Sequence, residues 1–313
     1  MKRIILLFLL TLYVWDIVAQ NYTEQNLNIP VAKDSVYGTL LTPKNIVKQT
    51  LVIIIPGSGL TDRNGNQTGL QNNSLKFLAE ALSEQGISTY RYDKSIIHQL
   101  KQEGFKEEDI DFKNFINEAQ AVTDYFRAQG IYDKIILSGH SQGSLVAMLA
   151  TPGRADAYIS LCGASQSIDV TLAQQLHRQF PQYDQDINNI LKALKSGETI
   201  KDINPTPLLS MFRPSVQPFL ISWMQYNPEN YITDIEVPVL IVGGTKDLQV
   251  PVSDAEHLHS LSTNAQLLVV KDMNHVLKTI EGQELENKMS YINPDLPVAK
   301  ALVQGMLDFI NNL

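Results

Sequence analysis

The run Gly139-His140-Ser141-Gln142-Gly143 follows a Gly-x-Ser-x-Gly pattern, and its neighbours give the pattern meaning. Lys134 to Ser138 precede it as a short apolar strand, and Ser144 to Ala150 follow it with helical composition. A serine at a sharp strand-to-helix turn holds its hydroxyl above the sheet edge, where a base can reach it. Glycines are needed on both sides, because side chains there would collide with the tight turn. The helix starts just behind the serine, so its free N–H groups and positive dipole end face any developing oxyanion. The chemistry implied is attack on a carbonyl by Ser141. The plainer reading of the same residues is a glycine-flanked turn whose serine caps a helix.

A serine hydroxyl is a poor nucleophile until a neighbour takes its proton. Among the six histidines, His275 is the best placed: it follows the strand-like Leu267-Leu268-Val269-Val270 through the loop Lys271-Asp272-Met273-Asn274. His140 is expected to point away from the hydroxyl and to be structural. His257 and His259, two apart in a helical stretch, face different directions, which argues against a metal pair. The base in turn needs a carboxylate to orient it and to stabilise its imidazolium form. Asp247, directly after the strand Pro238 to Val242, is the candidate, with Asp254 and Asp272 as alternatives. An oxyanion hole needs two backbone donors. One is expected from Gln142, the residue after the nucleophile. The other is expected from the loop after Leu51 to Ile55, at Ser58 or alternatively Gly59. No metal and no cofactor is implied.

These residues must be positioned by regular elements, and the chain has the patterns for them. Apolar β-branched runs at Ser35 to Thr42, Thr50 to Ile55, Ile87 to Tyr92, 134–138, 157–162, Pro238 to Val242 and Gln266 to Val270 read as strands. Amphipathic stretches at Leu75 to Gln85, Phe112 to Ala128 and Val298 to Asn311 read as helices. Alternation of this kind predicts an α/β class fold, a mostly parallel sheet covered by helices on both faces. Ligands on such sheets bind at the carboxyl ends of the strands, where Ser141, Asp247, His275 and the loop of Ser58 lie. Residues 167–231 break the alternation. They are rich in Gln, Asn and Pro and mostly helical in pattern, and they are read as a cap inserted into a core of residues 21–166 and 232–313.

A length of 313 residues with 44% hydrophobic and 19% charged residues suits one globular α/β domain with an insertion. The formal net charge of −8 argues against a nucleic-acid partner and against adsorption to an anionic membrane. Lys2-Arg3 followed by the apolar Ile4 to Trp15 reads as a signal peptide over residues 1–20, too short to span a bilayer comfortably. The alternative is an uncleaved anchor. Cleavage implies a secreted or periplasmic protein with no stable membrane insertion. Cys162 is the only cysteine, so no intramolecular disulfide can form, and its apolar surroundings mark it as a buried strand-end residue.

The order Ser141, Asp247, His275 and the stretch Gly57 to Asn66, Gly-Ser-Gly-Leu-Thr-Asp-Arg-Asn-Gly-Asn, resemble the α/β-hydrolase superfamily. Together with Arg91-Tyr92-Asp93-Lys94, they look more narrowly like bacterial esterases related to the serine aminopeptidase and monoglyceride lipase branch. Two departures stand out: Pro56 occupies a position where many relatives carry histidine, and Ser95-Ile96 replace the Arg-Gly that many carry. The resemblance implies an α/β-hydrolase fold with a helical cap. It also implies a serine hydrolase acting on small-molecule carboxylic esters of short- to medium-chain acids through an acyl-enzyme. A peptidase or amidase with the same triad is the alternative. It would need an acidic anchor for a free amine, for which Asp184, Asp186 and Glu229 are available. A non-catalytic binding protein on the same scaffold is the remaining alternative.

Overall fold

A computed structural model describes residues 20–31 and 34–313. The expected signal peptide lies, apart from Gln20, outside the described residues. The strands are β1 (Tyr22–Val31), β2 (Asp34–Pro43), β3 (Thr50–Ile55), β4 (Ser88–Asp93), β5 (Lys134–His140), β6 (Ala157–Leu161), β7 (Val239–Gly244) and β8 (Ala265–Val270). They form one sheet in the order β1-β2-β4-β3-β5-β6-β7-β8. The β1–β2 and β2–β4 pairs are antiparallel and all the others are parallel.

The helices are α1 (Ser74–Glu84), α2 (Ile96–Gln99), α3 (Phe112–Gln129), α4 (Gln142–Ala150), α5 (Ile168–Gln179), α6 (Asp184–Lys195), α7 (Leu209–Phe212), α8 (Gln217–Trp223), α9 (Pro228–Ile232), α10 (Val252–Leu261), α11 (Glu284–Ser290) and α12 (Lys300–Asn311). The segment between β6 and β7 holds α5 to α9.

The two-residue period of a strand explains the layering. On β3, Leu51, Ile53 and Ile55 enter the apolar layer shared with α3 and α4, and Val52 and Ile54 enter the layer shared with α1 and α12. A central strand covered on both faces has no polar side, which is why β3 is buried at every position. Each such side chain contributes roughly 1.5–3 kcal/mol by leaving water. The unpredicted β1 is the opposite case. It is an edge strand paired only with β2, and Thr23, Glu24, Gln25 and Asn26 are exposed, so no apolar run announces it.

Register brings the loops of interest together. Ile55 lies opposite Gly139, so the loop after β3 emerges beside the serine turn. Gly244 lies opposite Val270, so the loops after β7 and β8 emerge side by side. Gly139 is held by close approach. A Cβ there would overlap the carbonyl of Gly143, which is backbone and cannot rotate away. Gly139→Ala is therefore expected to cost about 3 kcal/mol in urea unfolding, the upper end for overpacking a core.

Candidate active site

Ser141 joins β5 to α4 with φ 54° and ψ −119°, a backbone conformation that a non-glycine residue adopts only when its surroundings force it. The Ser141 N–H donates to the Leu161 carbonyl at 2.9 Å, and the Ser144 N–H donates back to the Ser141 carbonyl at 2.9 Å. Gly143 lets α4 press against the end of β3, since a Cβ there would lie 2.7 Å from the Pro56 carbonyl oxygen. The result is a partly exposed serine at the first turn of a helix whose own side chains are nearly all buried.

Asp247 and His275 meet on the same edge. His275 Nδ1 lies 2.8 Å from Asp247 Oδ2, with the two side chains 5% and 0% exposed. Asp247 Oδ1 accepts the N–H groups of Gln249 at 2.8 Å and Val250 at 2.9 Å. Burial alone would raise the pKa of Asp247. The His275 charge and hydrogen bond and the two backbone donors outweigh burial and hold the carboxyl below its usual range. An ionised Asp247 fixes the proton of His275 on Nδ1, which leaves Nε2 free to accept one. Ser141 and His275 line one small recess, and no hydrogen bond joins them among the described residues. Such bonds are often loose before substrate arrives.

Cys162 Sγ, an Asp247 carboxylate oxygen and a His275 ring nitrogen lie within 4.8 Å of one another, close enough to suit a single ion. Burial, and after it the neighbouring Asp247 charge, push the Cys162 thiol well above its usual pKa, so it stays protonated, which does not suit a metal ligand.

The loop carrying His275 is anchored from several sides. Asn274 is wholly buried, and its Nδ2 donates to Asn287 Oδ1 at 2.9 Å and to Ser290 Oγ at 2.7 Å. His140 Nε2 donates to the backbone carbonyl of His275 at 2.7 Å, so this ring supports the neighbouring loop rather than the serine hydroxyl. Burial, and after it the nearby His275, lower the pKa of His140 to about 4. The unfolded chain therefore binds this proton first. The stability due to neutral His140 is fully present above pH 6.5 and is lost as pH falls from there through 4. The loss is on the order of 3 kcal/mol. Chemical denaturation of wild type and His140→Gln between pH 8 and pH 4 should show this slope in the wild type and a flatter profile in the variant.

Of the expected oxyanion residues, Gln142 is the first residue of α4 and Ser58 lies on the loop after β3. Both line a cavity of about 400 Å³ with Ser141. Gly59, the alternative to Ser58, lines the same cavity. A second recess of about 80 Å³ holds Ser58, Ser141, His275 and Tyr291. Neither alternative carboxylate hydrogen-bonds His275. Asp254 Oδ1 accepts from the N–H and hydroxyl of Ser165 at 2.7 and 2.8 Å, and Asp272 meets the loop after β7 through its backbone, its N–H donating to Thr245 Oγ1 at 2.8 Å. His257 pairs with Glu229 at 2.9 Å, joining α10 to α9.

The loop from Gly57 to Asn66 is pinned from below. Arg63 donates through its N–H and Nη2 to the two oxygens of Asp93, each at 2.7 Å. Asp62 Oδ1 accepts from the N–H groups of Asn64 at 2.8 Å and Asn66 at 2.9 Å. These residues brace the loop and do not line the cavity. Sequence reasoning had no means of finding Asn274, the His140 contact or the Cys162 contact with Asp247, because each partner comes from a distant part of the chain.

Comparison with known proteins agrees with this fold. No curated protein matches the chain. Among solved structures, Est1E from Butyrivibrio proteoclasticus is 19% identical, covers 91% of this chain and 99% of its own, and superposes with a TM-score of 0.59. An esterase of Pyrococcus furiosus is 15% identical, covers 96% of each chain and gives 0.58. A proline iminopeptidase of Mycobacterium smegmatis is 14% identical, covers 85% of this chain and 96% of its own, and gives 0.57. At such identities the likeness bears on the fold, which is that of the α/β-hydrolases. The profile of the serine aminopeptidase, S33, family matches residues 71–279, which include the serine turn and the loops after β7 and β8. The chain belongs to that family of α/β-hydrolases.

Proposed function

We propose that this protein is a serine hydrolase that cleaves carboxylic esters through an acyl-enzyme. The observation that carries the proposal is the buried 2.8 Å bond between His275 and Asp247 beside a serine held in a strained strand-to-helix turn. Ser141 attacks the ester carbonyl, and its proton passes to His275 Nε2. Asp247 holds the His275 tautomer and stabilises the imidazolium. The N–H groups of Ser58 and Gln142 receive the oxyanion. His275 then returns the proton to the leaving alcohol, and water repeats the sequence to release the acid.

The cavity walls favour esters over peptides with a free amino terminus. The 400 Å³ cavity is lined by Leu145, Leu172, Phe219, Leu220 and Trp223 among others, with several glutamines and no carboxylate. Its one charged residue, Arg213, is paired with Glu107. None of Asp184, Asp186 and Glu229 lines it. A buried ammonium would have no counter-ion there, which is costly. We assign the acyl chain to this cavity, at short to medium length, and a small alcohol to the 80 Å³ recess beside His275. The residues between β6 and β7 act as the cap that shapes the acyl side.

Turnover of a p-nitrophenyl acyl series from acetate to palmitate, with amino-acid p-nitroanilides alongside, tests this reading. Short and medium esters are expected to be hydrolysed and anilides left intact. Cleavage of anilides would replace the esterase by the peptidase. We further propose export on the strength of residues 1–20. Amino-terminal sequencing of the protein from its native cells tests this, and a chain still beginning at Met1 would refute cleavage.

A further inference from the structure

Lys94 is only 2% exposed, an unusual position for a lysine. Its Nζ donates to the carbonyl of Gly57 at 2.7 Å and to Oε1 of Gln142 at 3.2 Å, and it stands 4.9 Å from the centre of the Phe115 ring. Glu118, buried nearby on α3, is not its ion-pair partner: its carboxylate is engaged by the N–H and hydroxyl of Ser95. The acceptors of Lys94 therefore belong to the two residues around the oxyanion position.

The carbonyl of Gly57 and the N–H of Ser58 are the two ends of one planar peptide unit, and they point in opposite directions. A donor that fixes the oxygen on the protein side turns the N–H to the other side. The second acceptor is the side chain of Gln142, whose own N–H opens α4. We infer that Lys94 is a positioning residue that aims both oxyanion donors, holding the Gly57–Ser58 peptide by its carbonyl and Gln142 by its side chain. This rests on the serine hydrolase reading above. Burial draws the Lys94 ammonium down to about 7, but a neutral amine still has N–H groups for both acceptors, so the brace does not depend on its charge. The inference also gives a use to the Arg91-Tyr92-Asp93-Lys94 run. Arg91 holds Asn64 at 3.2 Å, Asp93 holds Arg63, and Lys94 holds Gly57, so the end of β4 grips the oxyanion loop at three points.

Lys94→Met keeps the unbranched stem of the side chain and removes its terminal donors. With p-nitrophenyl butyrate as substrate, kcat is expected to fall about 30- to 100-fold, somewhat less than the loss of a whole oxyanion donor, with KM within about twofold. The inhibition constant of a short-chain alkyl trifluoromethyl ketone, which forms a tetrahedral adduct, should weaken by the same factor. Glu118→Gln should leave both near wild type, and an equal loss there would assign the effect to buried charge and overturn the inference. Gln142→Leu carries the test independently should Lys94→Met not fold. It removes one of the two acceptors, and a loss of about 3- to 10-fold in kcat is expected, whereas no loss overturns the two-donor brace. Unchanged kcat, ketone affinity and fluorophosphonate labelling in folded Lys94→Met overturn the inference while leaving the hydrolase reading intact. Folded wild type that neither labels at Ser141 nor hydrolyses the ester overturns both.

Discussion

Ser141→Ala is expected to fold normally and to lose about six orders of magnitude in kcat, because the proposed mechanism forms its acyl-enzyme on Ser141. The residual rate comes from binding and from whatever the oxyanion donors still do for a water molecule. His275→Ala should fall almost as far, and the double variant should be no worse than either single one. Nucleophile and base act as one unit, so removing the second member takes away a function already lost. The measurement is single-turnover hydrolysis of a p-nitrophenyl ester with fluorophosphonate labelling alongside. Two losses that simply multiply would show that His275 acts separately from Ser141. A Ser141→Ala variant that keeps burst kinetics would remove the serine from the mechanism.

Asp247→Asn is the second large effect, a fall of about 10⁴-fold in kcat with little change in folding. The substitution keeps the shape of the side chain, and its oxygen can still accept the N–H groups of Gln249 and Val250. The amide nitrogen would then face His275 Nδ1 and donate to it. The ring would carry its proton on Nε2, the position that has to receive the proton of Ser141. Asp254→Asn and Asp272→Asn should leave turnover near wild type, since Ser165 holds the first and the second meets its neighbours through its backbone. A large loss in either of those, with Asp247→Asn active, would move the carboxylate role away from Asp247.

How far the sequence could be read differs by element. The central strands were legible because burial on both faces leaves a continuous apolar run, as in Leu51-Val52-Ile53-Ile54-Ile55. Helices α1 and α3 were legible from their one-sided stripes and from Gly86 and Gly130 after them. Strand β1 was not, because an edge strand with polar side chains on most positions carries no hydrophobic period. At the site, Ser141, Asp247 and His275 were legible as candidates because each lies in the turn or loop after a strand, and strand ends on one edge of a parallel sheet come together whatever their separation in sequence. The residues that support them also sit at strand ends, Lys94 after β4 and His140 at the end of β5, but position alone does not say what they touch. Lys94 contacts Gly57 and Gln142 through the length of its side chain, and His140 contacts His275 across 135 positions. Contacts of that kind are set by three-dimensional packing and leave no local pattern.

The order of these loops along the chain also sets when activity can begin. The serine turn is completed by strands β3, β5 and β6, all within the first 161 residues. The His275 loop follows β8, and it is tied down by Asn287 and Ser290 farther on still. A ribosome making this protein therefore releases Ser141, the proposed nucleophile, long before His275 and its anchors. On the proposed mechanism, the nascent chain stays chemically silent until the His275 loop and its anchors have been made.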